Sequence, residues 1–161
     1  ELTKSKDATK RLVICGILIA LATILGSLSI PVLGAKVAPI QHLINVIAAV
    51  TLGPAYGISC AFVSSLLRNI LGTGSILAFP GSMVGVFLAA ILYKRDTVVG
   101  EVIGTGIIGA LLAYPLAAFV LGKEVALFVY IIPFSISSIV GSIIAYIILK
   151  LNTLRSFLLS N

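Results

Sequence analysis

Charge is scarce in this chain: 161 residues carry only five Asp and Glu and eleven Lys and Arg. That is too little to cover the surface of a water-soluble domain of this size. Tryptophan is absent, and there is one histidine. A single histidine cannot build a multi-histidine metal centre. The two cysteines, Cys15 and Cys60, lie inside apolar runs with no Cys-x-x-Cys or Cys/His cluster around them. They read as small core residues, neither a disulfide framework nor a metal site. There is no G-x-x-x-x-G-K-[ST], no H-E-x-x-H, no Ser/His/Asp set and no pair of intramembrane carboxylates. ATP hydrolysis and metalloenzyme chemistry are therefore excluded, and a proton-coupled pump lacks its carboxylate relay. The chain reads as a non-enzyme that binds no cofactor itself.

What fills the chain instead is hydrocarbon: 60% of residues are hydrophobic, and the mean hydropathy is +1.23. This is the composition of an integral membrane protein. At roughly 20 residues per helical crossing, about six spans consume the sequence. The expectation is an all-α membrane protein, with residues 1–161 forming one domain. No small-residue cleavage site precedes the first apolar run, so that span is expected to direct insertion itself. The net charge of +6 comes from residues flanking the spans, with no basic-aromatic module for nucleic acid.

Punctuation by Gly, Pro and charge divides the apolar sequence at about 12–30, 39–52, 55–71, 75–93, 98–121 and 125–151. Between the second and third runs stands "LGPAYG" (52–57), where Gly53 suits a helix C-cap and Pro54 cannot continue a helix. One straight helix through this region is rejected on that ground. With six spans both termini share a side. Lys4, Lys6, Lys10, Arg11, Lys94, Arg95, Lys150 and Arg155 then lie together, against Lys36, Arg68 and Lys123. The positive-inside rule puts the larger group, and both termini, in the cytoplasm. Span three runs outward, and Arg68 falls about one turn from its extracellular end.

The remaining polar residues gather in the outer leaflet. Gln41, His42 and Asn45 occupy roughly a 100° arc at the start of span two, and Ser64, Ser65, Arg68 and Asn69 form a comparable stripe at the end of span three. Two facing polar stripes supply donors, acceptors and a permanent cation to a small polar solute. The "GTGSILAFPGS" stretch (72–82) adds Thr73, Ser75 and Ser82, and Gly72 and Gly74 permit a tight turn whose N–H groups approach a ligand. Tyr114, Tyr130 and Ser135 are candidates for the opposite wall. A membrane-interface belt accounts for the tyrosines equally well.

Small residues at four-residue spacing run through several spans: Gly16 and Ala20; Gly81, Gly85 and Ala89; Thr105, Gly109, Ala113 and Ala117; Ser137, Gly141 and Ala145. Most are expected to let helices pack closely. Gly16 and Ala20, on an outermost helix, suit docking of a partner subunit. Glu101 is expected to complement the N-terminal dipole of span five and to take no part in binding.

Three long blocks, "GAKVAPIQHLINVIAAVTLGP" (34–54), "LLRNILGTGSILAFPGSM" (66–83) and "GEVIGTGIIGALLAYP" (100–115), resemble the ThiW group. These are substrate-binding S components of energy-coupling-factor (ECF) vitamin transporters in prokaryotic cytoplasmic membranes. The resemblance implies a six-helix bundle with cytoplasmic termini. It also implies capture of a thiamin precursor, hydroxyethylthiazole, near the extracellular face by loops after spans one, three and five. It implies partners as well: a transmembrane coupling subunit and two ABC-type ATPases, which use the ATP. Gly16 and Ala20 match the Ala-x-x-x-Ala motif that contacts the coupling subunit in many S components, with glycine in place of the first alanine. The "PVLGAKVAP" segment (31–39), with Lys36, corresponds to the loop that closes over substrate. Hydroxyethylthiazole is uncharged, whereas Arg68 suits an anion. Three roles for Arg68 stay open: pairing with ligand charge, donating to a ligand hydroxyl, or ordering Asn45 and Asn69. The alternative ligands are hydroxymethylpyrimidine, thiamin and thiazole phosphate. A small membrane protein whose polar cluster only ties helices together is the alternative class.

Overall fold

The computed structural model describes residues 2–32, 35–92 and 96–151. Five helices account for most of them: α1 (Leu2–Leu25), α2 (Pro39–Ile70), α3 (Ala78–Ile91), α4 (Thr97–Val120) and α5 (Ile131–Lys150). Four of these, all except α3, are long and apolar enough to cross a bilayer. Large apolar side chains stand exposed along them, Ile17 and Ile24 on α1, Ile70 on α2, Phe119 on α4 and Ile147 on α5 among others. Such a surface is stable against lipid tails and not against water.

α2 folds back on itself. Gly53 has φ +77° and ψ −176°, a conformation essentially reserved for glycine, and Pro54 opens the next helical turn. In a straight helix, two residues 27 apart would be separated by about 40 Å. Yet Arg68 donates from Nη1 to Gln41 Oε1 at 3.1 Å across that sequence separation of 27. The arms 39–52 and 54–70 are therefore antiparallel neighbours, as the "LGPAYG" punctuation required. Arg11 of α1 donates to the Leu52 carbonyl at 3.5 Å, satisfying a carbonyl that the break at Gly53 leaves open.

Helix limits differ from the apolar runs where other forces decide. α1 begins ten residues before the run at 12, because the preceding polar residues include good helix formers. It ends at Leu25, and the segment that follows forms a two-stranded antiparallel hairpin, β1 (Ile30–Val32) with β2 (Ala35–Val37), Ile30 opposite Val37. The 31–39 segment is thus largely strand. Its tip at 33–34 lies outside the described residues, as do the side chain of Lys36 and the basic residues Lys94, Arg95 and Arg155. Residues 125–130 remain outside α5, which starts at Ile131 with Pro133 in its first turn, where a missing N–H costs nothing.

α4 is mixed: its Val102–Gly109 and Leu116–Val120 segments are π-helical. Glycine brings it against α3. A methyl group on Gly104 would stand 2.7 Å from Gly85 Cα, and one on Gly109 would collide with Gly81 Cα. The small-residue ridges of the sequence thus meet backbone to backbone. Among the described residues, most of the buried apolar side chains fall into two clusters. Cys15, Leu18, Ile44, Ile47, Cys60 and Val86 belong to one among α1, α2 and α3. Leu77, Ala113, Tyr130 and Phe134 belong to the other, beside α4 and α5.

Candidate functional site

The second arm of α2 ends in a glycine-terminated Schellman turn. Gly72 has φ +72°; its N–H donates to Asn69 O at 3.1 Å, and Thr73 N–H donates to Arg68 O at 2.9 Å. Gly74 N–H also donates to Arg68 O at 2.9 Å. This corrects the expectation that these backbone groups approach a ligand, because closing the helix uses them. The turn holds Arg68 in place, 5% exposed. Its Nη2 donates to the Gly26 carbonyl at 2.6 Å and to the Thr73 carbonyl at 3.5 Å, and its Nη1 to Gln41. Glycine is required at 26, since a Cβ there would collide with the Ala22 backbone carbonyl and lie 2.9 Å from Arg68 Nε. The guanidinium thus joins the segment after α1, the start of α2 and the turn after α2. Its side-chain hydrogen bonds go to Gln41, Gly26 and Thr73, and none to the Asn45 or Asn69 side chain.

Beyond the expected complement to its helix dipole, Glu101 is hydrogen-bonded across the bundle. Glu101 is 0% exposed. Its Oε1 is 2.9 Å from His42 Nδ1, accepts from Asn45 Nδ2 at 3.1 Å, and is 3.0 Å from Thr105 Oγ1. The N-cap of α4 is Asp96, whose side chain accepts from Val99 N–H at 3.2 Å, so the helix end is served without Glu101. The reason for Glu101's placement is geometric. α3 has only 14 residues, about 21 Å, so α4 begins high enough for a long side chain near its start to reach the first turns of α2. Gly85 makes room: a methyl there would be 2.6 Å from Glu101 Oε2. The two charges are connected. Gln41 Oε1 accepts from Arg68, Gln41 Nε2 donates to Asn45 Oδ1 at 3.2 Å, and Asn45 Nδ2 donates to Glu101.

Above this relay is a cavity of about 240 Å³ lined by Gln41 and His42, by Arg68, Ser75, Leu77, Gly81 and Ser82, by Thr105, and by Lys123, Phe134 and Ser137, with Ala38, Gly74 and Ala78 completing the wall. The volume suits a ligand smaller than a typical drug. Of the residues expected in a site, Gln41, His42, Arg68, Ser75 and Ser82 line it. Asn45 lies outside the wall, in the relay. Ser65 is buried, its carbonyl taken by Asn69 Nδ2 at 2.8 Å, and the Thr73 hydroxyl turns to Arg68 O at 3.4 Å. Ser135 donates to Gly106 O at 3.4 Å, and Tyr130 packs on Phe134 with ring centroids 5.8 Å apart. Neither they nor Tyr114 line the cavity. Glu101, Thr105, Lys123, Phe134 and Ser137 are the functional candidates that the sequence reading missed. A lone acid in an apolar run with Thr four residues later was the available signal. Among the described residues no three His, Cys, Asp or Glu side chains gather to hold a metal ion.

Residues 12–155 match the family described as thiamine-precursor transporter protein, ThiW. The chain belongs to the ThiW family. It is a multi-pass membrane protein of a transporter family and not an enzyme. No curated protein matches it. A solved structure described as the S component of a bacterial ECF transporter is similar to it, with a TM-score of 0.66 and 21% identity. The similarity covers 94% of this chain and 99% of that one. This ThiW chain therefore has the S-component fold.

Proposed function

We propose that this ThiW protein is the substrate-binding S component of an ECF importer and captures hydroxyethylthiazole in the cavity above Gln41 and His42. As one domain of six crossings, counting the two arms of α2 separately, it has both termini in the cytoplasm and the cavity toward the outside. The observation that carries the substrate reading is the commitment of Arg68. Its two terminal nitrogens donate to Gln41 Oε1 and to backbone carbonyls, while Nε has no partner among the described residues. The cation is thus used to hold loops together, and beside it the wall carries Ser82, His42 and the Phe134 ring. A small uncharged heteroaromatic alcohol fits such a wall. Lys123 on the rim favours the second reading, thiazole phosphate.

Delivery in this reading requires a transmembrane coupling subunit and two ABC-type ATPases, which supply the ATP hydrolysis. Gly16 and Ala20 are both exposed on α1 and offer the contact face. The hairpin of β1 and β2 serves as the closing element.

Calorimetric titration of detergent-purified protein tests the reading, with hydroxyethylthiazole as ligand and hydroxymethylpyrimidine, thiamin and thiazole phosphate for comparison. Preferential saturable binding of the thiazole alcohol is expected. Preference for the phosphate would replace the first reading with the second.

A further inference from the structure

We propose that Glu101 is a positioning residue: it holds His42 as the neutral tautomer protonated on Nδ1, so that Nε2 faces the cavity as an acceptor and selects ligands carrying a hydroxyl donor. The selection step rests on the cavity being the substrate site; the tautomer does not.

Two buried ions frame the relay. A guanidinium only donates and an ionised carboxylate only accepts, so the amides between them have one workable polarity. Gln41 accepts from Arg68 and donates to Asn45, and Asn45 donates to Glu101. Each amide accepts on the cation's side and donates on the anion's side. Reversing either would set like groups against each other.

Charge is then balanced. Arg68 and Glu101 offset one another within a continuous hydrogen-bonded chain, and among the described residues the remaining charged group at the cavity is Lys123, also a cation. An uncharged His42 whose Nδ1 is 2.9 Å from Glu101 Oε1 places its proton on that nitrogen. Nε2 keeps its lone pair, makes no hydrogen bond among the described residues, and belongs to a residue lining the cavity.

The complementary ligand group is a hydroxyl that donates. Ser82 is also on the wall, and its buried Oγ, without a partner among the described residues, can donate to a ring nitrogen once the side chain turns toward the cavity. A heteroaromatic alcohol satisfies both. A phosphate dianion offers His42 no proton.

The chain contains one histidine, so protein labelled with ¹⁵N-histidine and purified on a histidine-free tag gives one imidazole spectrum. In the ligand-free wild type, a protonated Nδ1 and an unprotonated Nε2 are expected. Adding hydroxyethylthiazole should shift Nε2. An imidazolium, or the opposite tautomer, would overturn the proposal without any variant having to fold. In Glu101→Gln the carboxylate is lost and the opposite tautomer should gain population, with affinity for the alcohol falling at least tenfold. A structural role alone would leave the tautomer unchanged in folded Glu101→Gln, which would also overturn it. Titration with 5-ethyl-4-methylthiazole, which lacks the hydroxyl, separates the two readings. At least tenfold weaker binding than the alcohol is expected. Equal affinity would overturn the selection step and leave the cavity as substrate site. Binding of neither compound would overturn the substrate reading and the selection step together, while the spectrum still decides the tautomer.

Discussion

The apolar cluster among α1, α2 and α3 and the polar floor of the cavity are equally buried, but opposite chemistry holds them. The cluster is Cys15, Leu18, Ala22, Ile44, Ile47, Cys60, Ala61, Val86 and their neighbours. The floor is Arg68, Gln41, Asn45, Glu101, His42 and Thr105. In lipid, burying another methyl group gains little over leaving it against acyl chains, so the cluster contributes mainly shape. In the floor, each side chain has surrendered water and makes at least one named hydrogen bond, with Arg68 Nε and Glu101 Oε2 left without a partner among the described residues. Sensitivity to substitution should therefore concentrate in the floor.

Glu101→Leu should break the comparison most severely. It removes the acceptor for Asn45 Nδ2 and the partner of His42 Nδ1, and leaves Arg68 without its counter-charge. Breaking a buried charged set from one side costs about 3 to 5 kcal/mol. Thermal unfolding in detergent should show a large drop or no folded protein; a shift no larger than that of an apolar swap would refute the relay's structural weight. Arg68→Ala should come next. It releases the Gly26 and Thr73 carbonyls and Gln41 together. Ligand binding should weaken by about 1.5 kcal/mol or more, the value of a charged hydrogen bond. The loss should be similar for the alcohol and for thiazole phosphate, because Arg68 acts by holding the wall; a loss confined to the phosphate would show direct pairing with ligand charge. In the apolar half, Cys60→Ala should cost less than about 1.5 kcal/mol and leave affinity unchanged. Calorimetry and unfolding on the same sample would check both.

The same contrast explains what could be read from the sequence. The helical membrane class follows from composition, and the fold-back of α2 from Gly53 and Pro54, because both are local properties. Gln41, His42 and Arg68 could be found because they stand on two stripes joined by a short turn, so their meeting needed only helical periodicity. Glu101 could not be placed that way. It is 59 residues from His42 in sequence, and its reach depends on α3 being short and on Gly85 leaving space, which are tertiary facts. The N–H groups of Gly72 and Gly74 were misjudged for the opposite reason: a local rule, the Schellman turn, already uses them. Phe134 and Ser137 enter the wall because α5 starts at Ile131 and not at the first apolar residue after the loop.

The smallest effect on the isolated protein belongs to a surface outside both regions, and it separates binding from transport. Gly16 is exposed on α1, and a Cβ built there meets nothing within 4 Å. Gly16→Leu adds an apolar side chain to a lipid-facing position and gains helix propensity, so stability should change by no more than about 0.5 to 1 kcal/mol. Affinity for ligand should be unchanged, since among the described residues none of α1 lines the cavity and Arg68 meets the segment after it at the Gly26 carbonyl. If the Gly16 and Ala20 face docks the coupling subunit, the larger side chain keeps the two helices apart, and a close small-residue contact cannot form. Uptake in cells with a complete importer should then fall while binding in detergent persists. Normal uptake with Gly16→Leu would remove this face from the docking surface and direct the search to the other exposed apolar stretches of the bundle.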